Sequence, residues 1–246
     1  MAVHPETPSE RVLPGAPSLV RALRAGTGDL FLNAWRAVPV NLVFGAVLIL
    51  ALAAWAGAAI VAAAAVSVLF APPIAGLFRL GARAERGLAA RLSDAVAPMR
   101  ESPVAVLLAG VAFAAVMMMM WVNLTTGLLV GGILPWMVSI AAAWGMLGTF
   151  VFGFAYWPLA VDPERAAMRH RDRARLAAMV AFANPARLGA LAVVLMAVLV
   201  ASTVLFVILL TVGVALCAFI ACRYVLPAAD RLEARLQPPE ATANRP

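Results

Sequence analysis

Polar and apolar positions fall along this chain in long blocks. About sixty residues, 102–161, pass without Asp, Glu, Lys or Arg. A second charge-free block covers 37–78, and a third covers 188–221. Uninterrupted apolar runs of about twenty residues predict membrane-spanning helices. One helix over the block at 37–78, at about 1.5 Å per residue, would reach ~60 Å, twice the thickness of a bilayer's hydrocarbon. That block therefore predicts two crossings, with the turn at Ala56 to Ala58, where Gly57 relaxes the backbone. The central block predicts crossings over 104–122 and 133–159. Between them, Asn123, Thr125, Thr126, Gly127, Gly131 and Gly132 predict a loop over 123–132. The third block is short for two crossings and long for one, and its length alone does not decide the count.

The segments between blocks are rich in arginine. In residues 76–102, Leu77, Leu80, Ala84, Leu88, Leu92 and Val96 recur at spacings of three and four, the pattern of an amphipathic helix. Such a helix over 76–99 either lies on lipid or continues the second crossing and packs on its own protein. Asp162-Pro163-Glu164 offers a cap, a first-turn proline and an acidic first turn, and predicts a second surface helix over 164–183. A short amphipathic helix is expected over 19–38. There Trp35 and Arg36 would anchor the chain at the interface.

The charges then choose the side. All basic residues are Arg, none Lys, and the formal net charge is +7. With so much Ala, this points to a GC-rich bacterial genome. The arginines flank the apolar blocks, while the expected far-side loops carry no charge, so the balance indicates a membrane surface and not nucleic acid. Basic segments stay cytoplasmic, so each block crosses an even number of times. The expected fold is an all-α polytopic membrane protein of six transmembrane helices, arranged as three hairpins plus amphipathic cytoplasmic surface helices. It would sit in the bacterial cytoplasmic membrane with both termini inside. Residues 1–36 form a tail and interfacial helix, 37–228 the membrane domain and 229–246 a second tail. The prolines and charges near the start predict a disordered tail and not a signal peptide. Arg79, Arg83, Arg86, Arg165, Arg169 and Arg173 are expected to contact anionic lipid, at about 1 kcal/mol for each Arg near such a surface.

Composition agrees. Apolar residues make up 64% of the chain and charged residues 13%, against roughly half and a quarter in soluble domains. Candidate chemistry is sparse. Cys217 and Cys222 read as small buried hydrophobes, and His4 and His170 have no partner spacing for a metal. Met117 to Met120 point around a whole helix turn and read as core filling. Gly145, Thr149 and Gly153 share one face and predict close helix approach. No ionisable residue falls within the spans, which argues against an ion-driven carrier. No phosphate-cradling loop or nucleophile–base set is present, and no enzyme, cofactor or metal is expected. A scaffold or accessory subunit remains. The alternative is a small-molecule transporter or channel in its own right, with Asn41, Ser67, Ser139 and Thr149 as candidates to line a polar path.

Three stretches carry a family resemblance: Val40-Asn41-Leu42; Phe70-Ala71-Pro72-Pro73-Ile74-Ala75-Gly76-Leu77; and Ala183-Asn184-Pro185-Ala186-Arg187-Leu188, which follows Trp157-Pro158-Leu159-Ala160-Val161. Together they resemble the YesL-like family of bacterial integral membrane proteins, a domain of unknown function (DUF624), over most of residues 36–235. Asn41, Pro72, Pro73, Pro158, Asn184 and Pro185 are the family-like positions. The resemblance implies an accessory role beside carbohydrate-importing ABC transporters and carries no catalytic residues with it.

Overall fold

The computed structural model describes residues 18–56 and 68–236, and among them every regular element is helical. The chain opens with α1, Leu19–Ala56, an uninterrupted helix of 38 residues. The short interfacial helix expected over 19–38 is thus the first half of a much longer one. Pro39 removes one backbone donor without ending it. The turn expected at Ala56 to Ala58 falls at the edge of the described residues, and the second crossing lies largely beyond it.

The surface helix expected over 76–99 is two helices, α2, Ala71–Glu85, and α3, Leu92–Glu101. Gly87 separates them with φ 66°, a left-handed conformation that suits glycine. Pro72 and Pro73 stand in the first turn of α2, where a missing N–H costs nothing. The next helix, α4, Pro103–Val130, continues through the segment expected as a loop. Thr125 stays helical by donating its hydroxyl to Trp121 O and Val122 O at 3.0 and 3.1 Å. Only Gly131 and Gly132, with φ 71° and 93°, make the turn. The chain returns as α5, Ile133–Ala160.

Asp162 caps as expected, accepting from Glu164 N at 3.2 Å, but the element it caps is a single 3-10 turn, Pro163–Arg165. The long helix there starts later, as α6, His170–Ala183. Asn184 and Pro185 open α7, Pro185–Val204. After a helical turn at Phe206–Ile208 and a π-helical turn at Leu209–Gly213 comes α8, Val214–Leu236, which passes through Pro227.

Five of these helical segments are long and apolar enough to cross a membrane: Leu19–Ala54, Pro103–Val130, Ile133–Ala160, Pro185–Val204 and Thr211–Leu236. The third apolar block, open by length alone, holds most of Pro185–Val204 and the start of Thr211–Leu236. Large apolar side chains such as Leu108, Leu129, Ile133, Leu134 and Trp144 are exposed along α4 and α5, as a lipid-facing surface requires. The close-packed core lies elsewhere. It gathers the buried faces of α2 and α8 with the end of α5 and parts of α1, α6 and α7; Leu77, Leu80, Leu159, Leu191, Phe219 and Leu226 are essentially inaccessible. α8 is the central helix, buried from Ala215 to Cys222 except at Leu216.

Glycines allow the closest approaches. A Cβ on Gly26 of α1 would lie 2.8 Å from Ile220 Cα of α8. One on Gly127 of α4 would lie 2.4 Å from Pro135 O of α5. The small-residue stripe at Gly145 and Gly153 faces Met120 and Phe113 of α4.

Candidate functional site

Four of the six arginines expected on lipid, Arg79, Arg83, Arg86 and Arg165, pair with carboxylates, and two of them, Arg86 and Arg165, meet at Asp162. Its side chain is fully buried in the linker after α5. Arg86, just past α2, reaches it at 2.6 Å, and Arg165 reaches it from the 3-10 turn. Both arginines also bind Asp230 of α8, at 2.8 and 2.6 Å. Arg86 adds Glu164 at 3.0 Å, and Arg165 adds Glu233 at 2.5 Å. Burial opposes the charges on these two guanidiniums, but bonds to Asp230 and Asp162 raise the pKa of Arg86, and bonds to Glu233 and Asp230 raise that of Arg165. Both stay ionised, and their planar, five-donor heads suit a site with several carboxylates.

A second cluster adjoins the first. Arg223 of α8 bonds Asp29 of α1 at 2.5 Å and contacts Glu85 of α2 at 2.9 Å. Burial pushes the Glu85 carboxyl up to about 7, against the pull of Arg223. On the same face, Arg83 bonds Asp94 at 3.0 Å and Ala89 O.

A cavity of about 310 Å³ lies beside these clusters. Arg79 of α2, Glu101 of α3, Tyr156 and Trp157 of α5, and His170 and Arg173 of α6 line it, with the first turn of α4. Arg79 is 7% exposed and donates to Val161 O at 2.7 Å and to Glu101 at 2.9 Å. Arg173, also 7% exposed, donates to Ala160 O and Ala166 O. Among the described residues no carboxylate forms a salt bridge with Arg173. Burial, and then Arg173 itself, lower the pKa of His170, so the imidazole is neutral at pH 7.

Of the six arginines assigned to anionic lipid, Arg79, Arg83, Arg86, Arg165 and Arg173 are therefore engaged within the protein, and only Arg169 is exposed. Their helices turn polar faces toward one another, so the charges meet before they reach lipid. Among the family-like positions, Pro73 and Pro158 are buried, Pro72 is half-buried, and Asn184 and Pro185 are exposed at the start of α7. Asn41 is fully buried, and its Oδ1 accepts from Ala215 N at 2.9 Å. That amide follows the π-helical turn, which displaces the regular ladder, and Asn41 supplies an acceptor from another helix.

Three of the polar residues considered for a path each bond to a different part of the protein. Asn41 meets α8, Ser139 donates to Leu124 O of α4 at 3.0 Å, and Thr149 donates to Gly145 O of its own helix at 2.8 Å. Ser67 lies outside the described residues. The two cysteines are buried and unpaired with each other.

Sequence reasoning missed the acids. Asp29, Asp230 and Glu233 drew no attention, Glu85 counted only as a countercharge to the arginines of its segment, and Asp162 appeared only as a cap. A signal was present: in segments dominated by Arg, the few carboxylates stand beside the ends of the apolar blocks.

Fold and ionic clusters together define an all-α, multi-pass membrane protein whose helices are cross-braced by arginine–carboxylate pairs. No protein-family model, no curated protein and no solved structure matches the chain.

Proposed function

We propose that this protein is a non-enzymatic membrane scaffold that crosses the bacterial cytoplasmic membrane six times, as three hairpins, with both termini inside. It serves as an accessory subunit of a larger assembly. The partner its YesL-like resemblance implies is a carbohydrate-importing ABC transporter.

One observation carries this reading: the ionic clusters join the two ends of each apolar block. Asp29, before the first block's apolar run, and Glu85, after it, both contact Arg223. Glu101, before the central block, binds Arg79, and Asp162, after it, binds Arg86 of the same segment. Arg173, before the third block, bonds Ala160 O, while Asp230 and Glu233, after it, bind Arg165. Block ends that gather at one polar face support an even number of crossings for each block. A cross-braced polar face beneath exposed apolar helices suits a protein that holds neighbours in place. The exposed Arg169, Arg171 and Arg175 of the same face meet anionic headgroups.

The test is purification from native membranes in mild detergent. Recovery of transporter subunits in fixed ratio, together with reduced sugar uptake on deletion, is the expected result. A protein that always emerges alone, with uptake unchanged on deletion, overturns the accessory role.

A further inference from the structure

We propose that the cavity between α2, α3, α5 and α6 is a binding site for a phosphate group, held by Arg79 and Arg173. The site is independent of the accessory role.

Three features carry the assignment. The first is charge. Arg173 is buried, and among the described residues its hydrogen-bond partners are two carbonyl oxygens, Ala160 O and Ala166 O. A guanidinium stays protonated wherever it is placed, and a buried cation without a counter-ion is costly. The acids on the cavity wall are already engaged: Glu101 with Arg79, and Asp162 with Arg86 and Arg165.

The second is unmet hydrogen bonding. The Nε of Arg79 and the Nε of Arg173 are both buried without a partner. Buried donors are nearly always satisfied, and of the four arginines with an unpaired buried Nε, Arg36, Arg79, Arg173 and Arg231, two, Arg79 and Arg173, line one cavity. A phosphate offers several charged oxygens, and arginine binds it with short, directed bonds.

The third is place. The first turn of α4 lines the cavity through Ser102, Ala105 and Val106. Its opening amides lack helical acceptors, and the turn carries no acidic residue. That turn is where an apolar span begins. The space exceeds a bare phosphate, leaving room for a substituent against Tyr156 and Trp157. The phosphate belongs either to an anionic lipid or to a soluble phosphorylated compound.

The full-length protein in detergent tests this. Thermal unfolding with inorganic phosphate, against chloride at equal ionic strength, reads the soluble arm. Native mass spectrometry with phosphatidylglycerol, against phosphatidylcholine, reads the lipid arm. The wild type is expected to show saturable binding in at least one arm. Arg173→Gln is expected to weaken it about tenfold or more, the loss typical of a charge-assisted bond, while Arg235→Gln, exposed at the end of α8 and away from the cavity lining, leaves it unchanged. Ala105→Phe keeps both guanidiniums and fills the space, and should also abolish binding, which covers the case in which Arg173→Gln does not fold. If the wild type binds in neither arm, or if Ala105→Phe binds as the wild type does, the site does not exist.

Discussion

At Asp162, two arginines from different parts of the chain converge on one fully buried carboxylate. Removing one partner from a buried ionic cluster leaves the others uncompensated, at about 3–5 kcal/mol. Asp162→Asn should therefore lower the thermal midpoint in detergent by far more than Asp172→Asn on the exposed face of α6. Equal midpoints would show that the cluster is solvated and weak. Glu85 gives a second residue-scale prediction. Burial raises its pKa from an ordinary 4.5 to about 7. Between those values the unfolded chain has already lost this proton while the folded chain keeps it, so stability falls as pH rises through that window. Glu85→Gln cannot titrate. Its midpoint should change less between pH 5 and pH 8 than that of the wild type, and parallel profiles would assign the slope to another group. Both residues were hard to find in the sequence because an acid's value here depends on which arginine it meets, and such partners lie far off in the chain: Arg86 is 76 positions from Asp162.

At the scale of elements, the apolar runs were legible and their ends were not. Block lengths identified α4 and α5, because about twenty apolar residues suffice to span. The turn between them was misjudged because Asn123, Thr125 and Thr126 read as loop residues, yet a hydroxyl can bond back to its own helix and stay within it. Proline does not end a helix at Pro39 or Pro227 either, where the helix loses a bond without stopping. Periodicity found the apolar faces of α2 and α3 and left open whether lipid or the protein itself covers them: α8 buries α2. The α4–α5 hairpin yields an element-scale prediction. A Cβ on Gly127 would stand 2.2 Å from Ser139 Oγ and 2.4 Å from Pro135 O, whereas one on Gly148 meets nothing within 4 Å. Gly127→Ala should destabilise by about 1–3 kcal/mol, the usual cost of overpacking, and Gly148→Ala should be close to neutral in the same unfolding assay.

For the molecule as a whole, the arrangement of charge predicts the threading. Arginine kept out of the apolar blocks argues for one cytoplasmic face, and the pairs Asp29–Arg223, Arg86–Asp162 and Arg165–Asp230 put the flanks of all three blocks within reach of one another. Thiol labelling separates this from the alternatives, because Cys217 and Cys222 are both buried and the wild type serves as the blank. A cysteine replacing the exposed Arg171 should react with a membrane-impermeant maleimide in inverted vesicles and not in intact cells. A cysteine replacing Val130, exposed at the end of α4, should react in intact cells and not in inverted vesicles. Both sites reacting from one side would mean that residues 103–160 do not cross and return, and the even count would fail for the central block. Reversed sides for the two sites would preserve the hairpin but turn the arginine face outward, removing the cytoplasmic partner from the proposed role.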